Sequence, residues 1–139
     1  MKPLFADTFY WLALLNPGDN WHQTVLNYTH KHPDQELVTS DGVLDEMLNY
    51  ASTRGIVMRE KALALYAYVI RSPLITIIAY TPNLREKGLE LYANRSDKSY
   101  SITDCVSMVI MKQLGIQDIL THDKHFTQEG FTIIFTTMY

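Results

Sequence analysis

Short apolar runs alternate with longer amphipathic stretches along this chain. Pro3-Leu4-Phe5-Ala6 reads as a short strand that ends at Asp7. Phe9 to Leu15 is apolar and of helical length, and the turn cluster Asn16-Pro17-Gly18-Asp19 stops it. Asp19 or Asn20 is placed to cap a second helix that runs to about His30, and Glu36 to Thr39 reads as a second strand. From Asp41 to Arg54 the residues Val43, Leu44, Met47, Leu48 and Ala51 recur at helical spacing, with Ser40 or Asp41 as cap and Gly55 as stop. Ile56 to Arg71 predicts a further helix with Ala62, Leu65, Tyr66 and Val69 inward, broken at Pro73. Leu74 to Tyr80 carries the strongest strand signal of the sequence. Thr81-Pro82 then opens a helix to about Asn94, with proline at the first helical position.

The last third centres on one more helix. Ser101 stands three residues before Asp104, the spacing of a capping hydroxyl that faces a first-turn acid. The helix dipole there favours negative charge, so Asp104 is expected to be ionised. Cys105, Val106, Met108, Val109, Ile110, Met111 and Leu114 follow, and Gly115 ends the run. A helix apolar on most faces belongs inside a domain. Asp118 to Thr121 reads as a fourth strand, and after the Glu129-Gly130 turn Phe131 to Phe135 reads as a fifth. Strands alternating with helices predict an α/β fold: a mostly parallel sheet covered on both faces. No repeat or linker interrupts residues 1–139, so one domain is expected.

Composition narrows this picture only slightly. With 139 residues and 47% hydrophobic content, the chain can bury a core of ordinary size. Its longest apolar runs are too short to span a bilayer, and a single lysine precedes the first acid, Asp7. No membrane association and a cytoplasmic location are expected. The single cysteine forbids an internal disulfide and, lying in the buried helix run, reads as core. The net charge of −3 speaks weakly against a sequence-independent nucleic-acid binder, but setting four carboxylates aside for cations leaves the remainder at +1.

Four acids change the picture more. Asp7 ends the first strand, Glu46 borders a helical core stripe, Asp104 opens the buried helix and Asp123 follows the fourth strand. In a parallel sheet the carboxyl ends of all strands share one edge, where open α/β sheets bind ligands. Carboxylates about 5 Å apart repel by roughly 1 kcal/mol per pair in water, and by more when partly buried. They then shift their pKa values upward or recruit a cation. Hard oxygen ligands without paired cysteine or histidine select Mg²⁺ or Mn²⁺ over zinc. His122 and His125 are three residues apart with no further soft ligand, and His22 reads as packing near the second helix. Asp97, Asp41 and Asp45 read as loop or cap residues. Lys98, Lys124, Lys112, Arg54 and Arg95 flank the acidic edge, to meet phosphates or simply to be solvated.

Phe5-Ala6-Asp7-Thr8, Glu46 within Asp41-Gly42-Val43-Leu44-Asp45-Glu46, Ser101-Ile102-Thr103-Asp104 and Leu120-Thr121-His122-Asp123-Lys124-His125-Phe126 together resemble the PIN-domain family, and within it the toxin ribonucleases of VapC type. The resemblance spans almost the whole chain. It implies a three-layer α/β/α fold around a five-stranded sheet and a Mg²⁺- or Mn²⁺-dependent endoribonuclease, the toxin of a type II toxin–antitoxin pair. It assigns Asp7, Glu46, Asp104 and Asp123 to metal binding and catalysis, and the hydroxyls of Thr8 and Ser101 to their support. Asp97 is a further candidate for that supporting role. Family membership also implies a homodimer and a small antitoxin partner, for which the helices between Trp11 and Tyr28 and between Ile56 and Ile70 could supply surfaces. Other readings are a non-catalytic PIN-like scaffold binding RNA or a partner, and the same fold cutting single-stranded DNA. A phosphoacceptor receiver domain would need adjacent acids after the first strand and a lysine after the last, but Asp7 stands alone and Phe131 to Tyr139 holds no lysine.

Overall fold

Every strand pairing in the computed structural model, which describes residues 2–138, is parallel. Among the described residues β1 (Leu4–Ala6), β2 (Leu37–Ser40), β3 (Ile75–Ile78), β4 (Asp118–Leu120) and β5 (Thr132–Ile133) form one sheet in the order β3-β2-β1-β4-β5. Parallel neighbours cannot be joined by tight hairpins, so helical segments cross between them. These are α1 (Thr8–Leu15), α2 (His22–Lys31), α3 (Asp41–Ser52), α4 (Ile56–Arg71), α5 (Pro82–Asn94), α6 (Ile102–Leu114) and the short α7 (His125–Gln128). The result is the expected three-layer α/β/α arrangement. The chain builds outward from β1 on one side through β2 and β3, then returns to β1's other side with β4. That reversal is where a parallel sheet opens a crevice at its carboxyl edge.

Central β1 and β2 are buried at every position. β3 is an edge strand and only half-buried, shorter than the predicted Leu74–Tyr80. Its end has a cause: the Tyr80 backbone N–H donates to Asp41 Oδ2 at 3.1 Å, which draws the chain away toward the start of α3. β5 likewise covers two residues of the predicted Phe131–Phe135, although Phe131, Ile133 and Phe135 are all buried. Neither Asp19 nor Asn20 caps α2. Asp19 Oδ1 accepts from the Trp21 N–H at 2.8 Å, which closes the preceding turn instead, and α2 starts at His22.

α6 begins with a reciprocal capping box between Ser101 and Asp104 and ends at Gly115, whose φ of 68° suits a residue without Cβ. It is less apolar all round than its sequence predicts, because Leu114 is exposed and Val109 half-buried. Its close neighbour is α5: a Cβ on Gly88 would stand 2.6 Å from Val106 Cγ2, so only glycine permits this approach. α4 buries Ala62 and Val69 but exposes Ile56, Val57, Leu63, Tyr68 and Ile70. Among the described residues no helix is long and apolar enough to cross a membrane.

Candidate active site

The register of the central strands sets the site. Ala6 pairs with Leu120, so Asp7 and Thr121 leave the sheet side by side. Asp7 occupies the N-cap position of α1, yet its carboxylate makes no capping bond. Its Oδ2 accepts instead from Thr121 Oγ1 at 2.9 Å, and the same hydroxyl accepts from the Asp123 N–H at 3.1 Å. One threonine thereby links the first acid of the chain to the last. Asp7 is buried, and burial, reinforced by the neighbouring Asp104 charge, pushes its carboxyl up to about 7.

Asp104 reaches the same place from α6. Ser101 Oγ accepts from its N–H at 3.0 Å, and Asp104 Oδ2 accepts from the Ser101 N–H at 3.0 Å. The helix terminus favours the anion, as the sequence predicts, but burial outweighs it and the carboxyl is shifted upward. Glu46 is half-buried on α3 and accepts a hydrogen bond from Thr8 Oγ1. Asp123 Oδ1 accepts from the His125 N–H at 2.9 Å.

These side chains meet. Asp7, Glu46, Asp104 and Asp123 line one open cleft of about 440 Å³ with Thr8, Phe9, Ser101 and His122. Among the described residues no lysine or arginine joins that lining. Hard carboxylate oxygens with no lysine or arginine among them, two of the acids being shifted upward, are the chemistry that a divalent ion fits. Asp97 lies elsewhere: it is exposed and pairs with Lys98 at 3.7 Å. Asp41 serves Tyr80, and Asp45 is exposed.

Several other side chains have occupations that the sequence leaves open. Arg95 donates through Nε (2.9 Å) and Nη2 (3.0 Å) to Glu129, which also accepts from the Tyr100 hydroxyl at 2.8 Å. Arg95 is therefore committed to an acid of its own. Arg54 lies 3.6 Å over the Tyr50 ring. His22 shares a hydrogen bond with the Ala13 carbonyl at 2.6 Å, and His122 does so with the Phe135 carbonyl at 2.7 Å while packing on Trp21. Cys105 is buried and its thiol is pushed up to about 11, so it is a core residue rather than a nucleophile.

Two residues of the Leu120–Phe126 segment stand beside the acids in places that the sequence does not assign them. Thr121 was visible as the position that follows Leu120 in register with β1. His125 lies against Asp104 and Asp123, its Nδ1 3.4 Å from an oxygen of each. Only its position two residues after Asp123 hinted at this.

Known proteins share this fold. The family model described as the PIN domain matches residues 4–131. The 23S rRNA-specific endonuclease VapC20 of Mycobacterium tuberculosis is 29% identical over 128 residues, which cover 92% of this chain and 95% of that protein. The crystal structure of Mycobacterium tuberculosis VapC20, a sarcin–ricin loop cleaving toxin, superposes with a TM-score of 0.81 and 30% identity, covering 93% of this chain and 96% of the other. FitAcB from Neisseria gonorrhoeae has the same fold at a TM-score of 0.65 and 17% identity, covering 94% of this chain and 96% of that one.

Proposed function

The chain belongs to the PIN-domain family, and from that premise we propose that it is a divalent-metal-dependent endoribonuclease, the toxin of a type II toxin–antitoxin pair. The observation that carries this reading is the convergence of four acids from four separate elements on one cleft with no lysine or arginine in its lining among the described residues. Like charges held this close raise the energy of the fold unless a cation joins them. Asp7, Glu46, Asp104 and Asp123 would hold Mg²⁺ or Mn²⁺. A bound ion of this kind lowers the pKa of water and takes up charge on the phosphate oxygens.

The protein's own part is to aim the carboxylates. Thr121 holds the Asp7 carboxylate, Thr8 holds that of Glu46, and the capping box fixes that of Asp104. Phe9 and His122 wall the cleft beside them. Hydrolysis by water leaves a 5′-phosphate and a 3′-hydroxyl, and no histidine acid–base pair is required. The names borne by the relatives make the sarcin–ricin loop of 23S rRNA the first substrate to try, with a cytoplasmic site of action. An antitoxin and a second copy of the chain are the proposed partners. Of the helices expected to serve them, α1 buries Tyr10, Trp11, Ala13 and Leu15, whereas α4 leaves Ile56, Val57, Leu63, Tyr68 and Ile70 uncovered.

The test is direct. The purified protein is incubated with a sarcin–ricin loop RNA hairpin and with single-stranded DNA of the same sequence, with Mg²⁺ or Mn²⁺. Cleavage of the RNA that stops on adding chelator is the expected result. Intact RNA in the presence of either ion overturns the reading, and cutting confined to DNA transfers it to the other substrate.

A further inference from the structure

We propose that His125 is a nitrogen donor to the divalent ion, alongside Asp104 and Asp123, and that the centre consequently favours Mn²⁺ over Mg²⁺. The inference rests on the nuclease reading for the ion's presence, and adds to it a ligand that the carboxylate pattern does not contain.

His125 Nδ1 is 3.4 Å from Asp104 Oδ2 and 3.4 Å from Asp123 Oδ1. Protein N–H···O hydrogen bonds mostly fall at about 2.7–3.2 Å, so the hydrogen bond of Nδ1 to Asp104 is a long one and the ring stands equally far from the two acids. Adjacent donors around an octahedral ion with bonds of roughly 2.1 Å stand about 3 Å apart, close to the spacing seen here. One ligand atom from each of Asp104, Asp123 and His125 lies within 4.8 Å of the others.

The far side of the ring supplies an independent reason. His125 Nε2 lies 3.1 Å from Ser99 Oγ. With Nε2–H donated to that hydroxyl, Nδ1 is free to give its lone pair to an ion held between the two carboxylates, whereas in the metal-free chain the protonated ring can pair with both acids through Nδ1–H. Metal-binding histidines characteristically hand their second N–H to an oxygen in this way. The ring is also held in place: it packs on Tyr100 with centroids 5.3 Å apart, and its own backbone N–H is bound by Asp123. Tyr100 is in turn anchored to Glu129.

Imidazole nitrogen suits transition ions, whereas Mg²⁺ prefers oxygen and keeps its water. The test uses the full chain titrated with MnCl₂ alone and read by electron spin echo modulation and by the EPR signal of free Mn²⁺, with Mg²⁺ as competitor. Expected are ¹⁴N modulation in the wild type, its loss in His125→Ala, and Mn²⁺ binding weakened about tenfold or more in that variant. Competition by Mg²⁺ should weaken less, while Asp104→Asn should weaken both ions. Mn²⁺ bound to the wild type without nitrogen modulation overturns the role of His125 and leaves the nuclease reading standing. That spectrum decides the matter even if the variant fails to fold. Equal weakening of both ions in His125→Ala overturns the selectivity, and no binding of either ion to the wild type overturns the nuclease reading with it.

Discussion

Glu129 and Asp7 are both acids withdrawn from water, and their surroundings drive them in opposite directions. The Glu129 side chain is 7% exposed and is gripped by Arg95 and Tyr100, and the Arg95 hydrogen bonds hold its carboxyl below the usual range. Asp7 is 5% exposed, and burial, with another acid as neighbour and no cation as partner, pushes it up to about 7. Burial raises both carboxyls, but at Glu129 the Arg95 hydrogen bonds outweigh it, whereas at Asp7 nothing does. The mark of a reactive acid is an electrostatic need left unmet by the protein's own side chains. Glu129 braces the chain between α5 and α6 against the end of α7, whereas Asp7 belongs to a cleft that still calls for positive charge.

The largest effect expected from this contrast is on catalysis. Asp7→Asn or Asp104→Asn should lower RNA cleavage by at least about a thousandfold, the roughly 4 kcal/mol that losing an ion's charge stabilisation implies. A single-turnover assay with the RNA hairpin checks it, and retained cutting in both variants would break the contrast at its centre.

Next in size is the stability of the metal-free protein. The folded carboxyl of Asp7 titrates at about 7 against 3.8 for the free group, so the native state holds a proton that the unfolded chain gives up. Stability in chelator should therefore fall as pH rises from about 4 to about 7. Asp7→Asn should remove much of that slope and be more stable than the wild type above neutral pH, by roughly 2–4 kcal/mol. Urea melts across this range measure it, and a flat wild-type profile would count against the assignment. Adding Mn²⁺ should raise the wild-type Tm and do little for the variant.

Smaller effects probe the braced side. Gly88→Ala drives a methyl into Val106 and should cost about 1–3 kcal/mol by overpacking, with no change in the pH slope attributed to Asp7. Arg95→Ala should lower Tm modestly and let the Glu129 carboxyl rise, while the Asp7 titration stays where it was. Movement of that titration would show that the two regions are coupled.

Much of this was legible in the sequence because parallel sheets obey simple rules. Acids after β1 and β4 must share an edge, Glu46 borders a helical core stripe, and Ser101 with Asp104 spells a capping box. What escaped depended on partners distant along the chain. The end of β3 is set by Asp41, 39 positions before Tyr80, and no local propensity in Leu74–Tyr80 reports it. Arg95 reads from the sequence as either a phosphate contact or a solvated surface charge, until Glu129, 34 positions on, claims it. His125 acquires its orientation from Ser99, 26 positions away. The exposed face of α4 was equally hidden, because an apolar run states how much could be covered and not whether anything covers it.

The strand-borne acids and the helix-borne acids differ in how they can move. Asp7 and Asp123 take their separation from the pairing of Ala6 with Leu120, bolted by the Thr121 hydroxyl, and backbone pairing changes only in whole-residue jumps that would also flip every side chain. Glu46 and Asp104 ride on α3 and α6, so their reach depends on how those helices pack rather than on a strand register. Attempts to reshape the cleft should leave the strands alone and repack beneath the two helices.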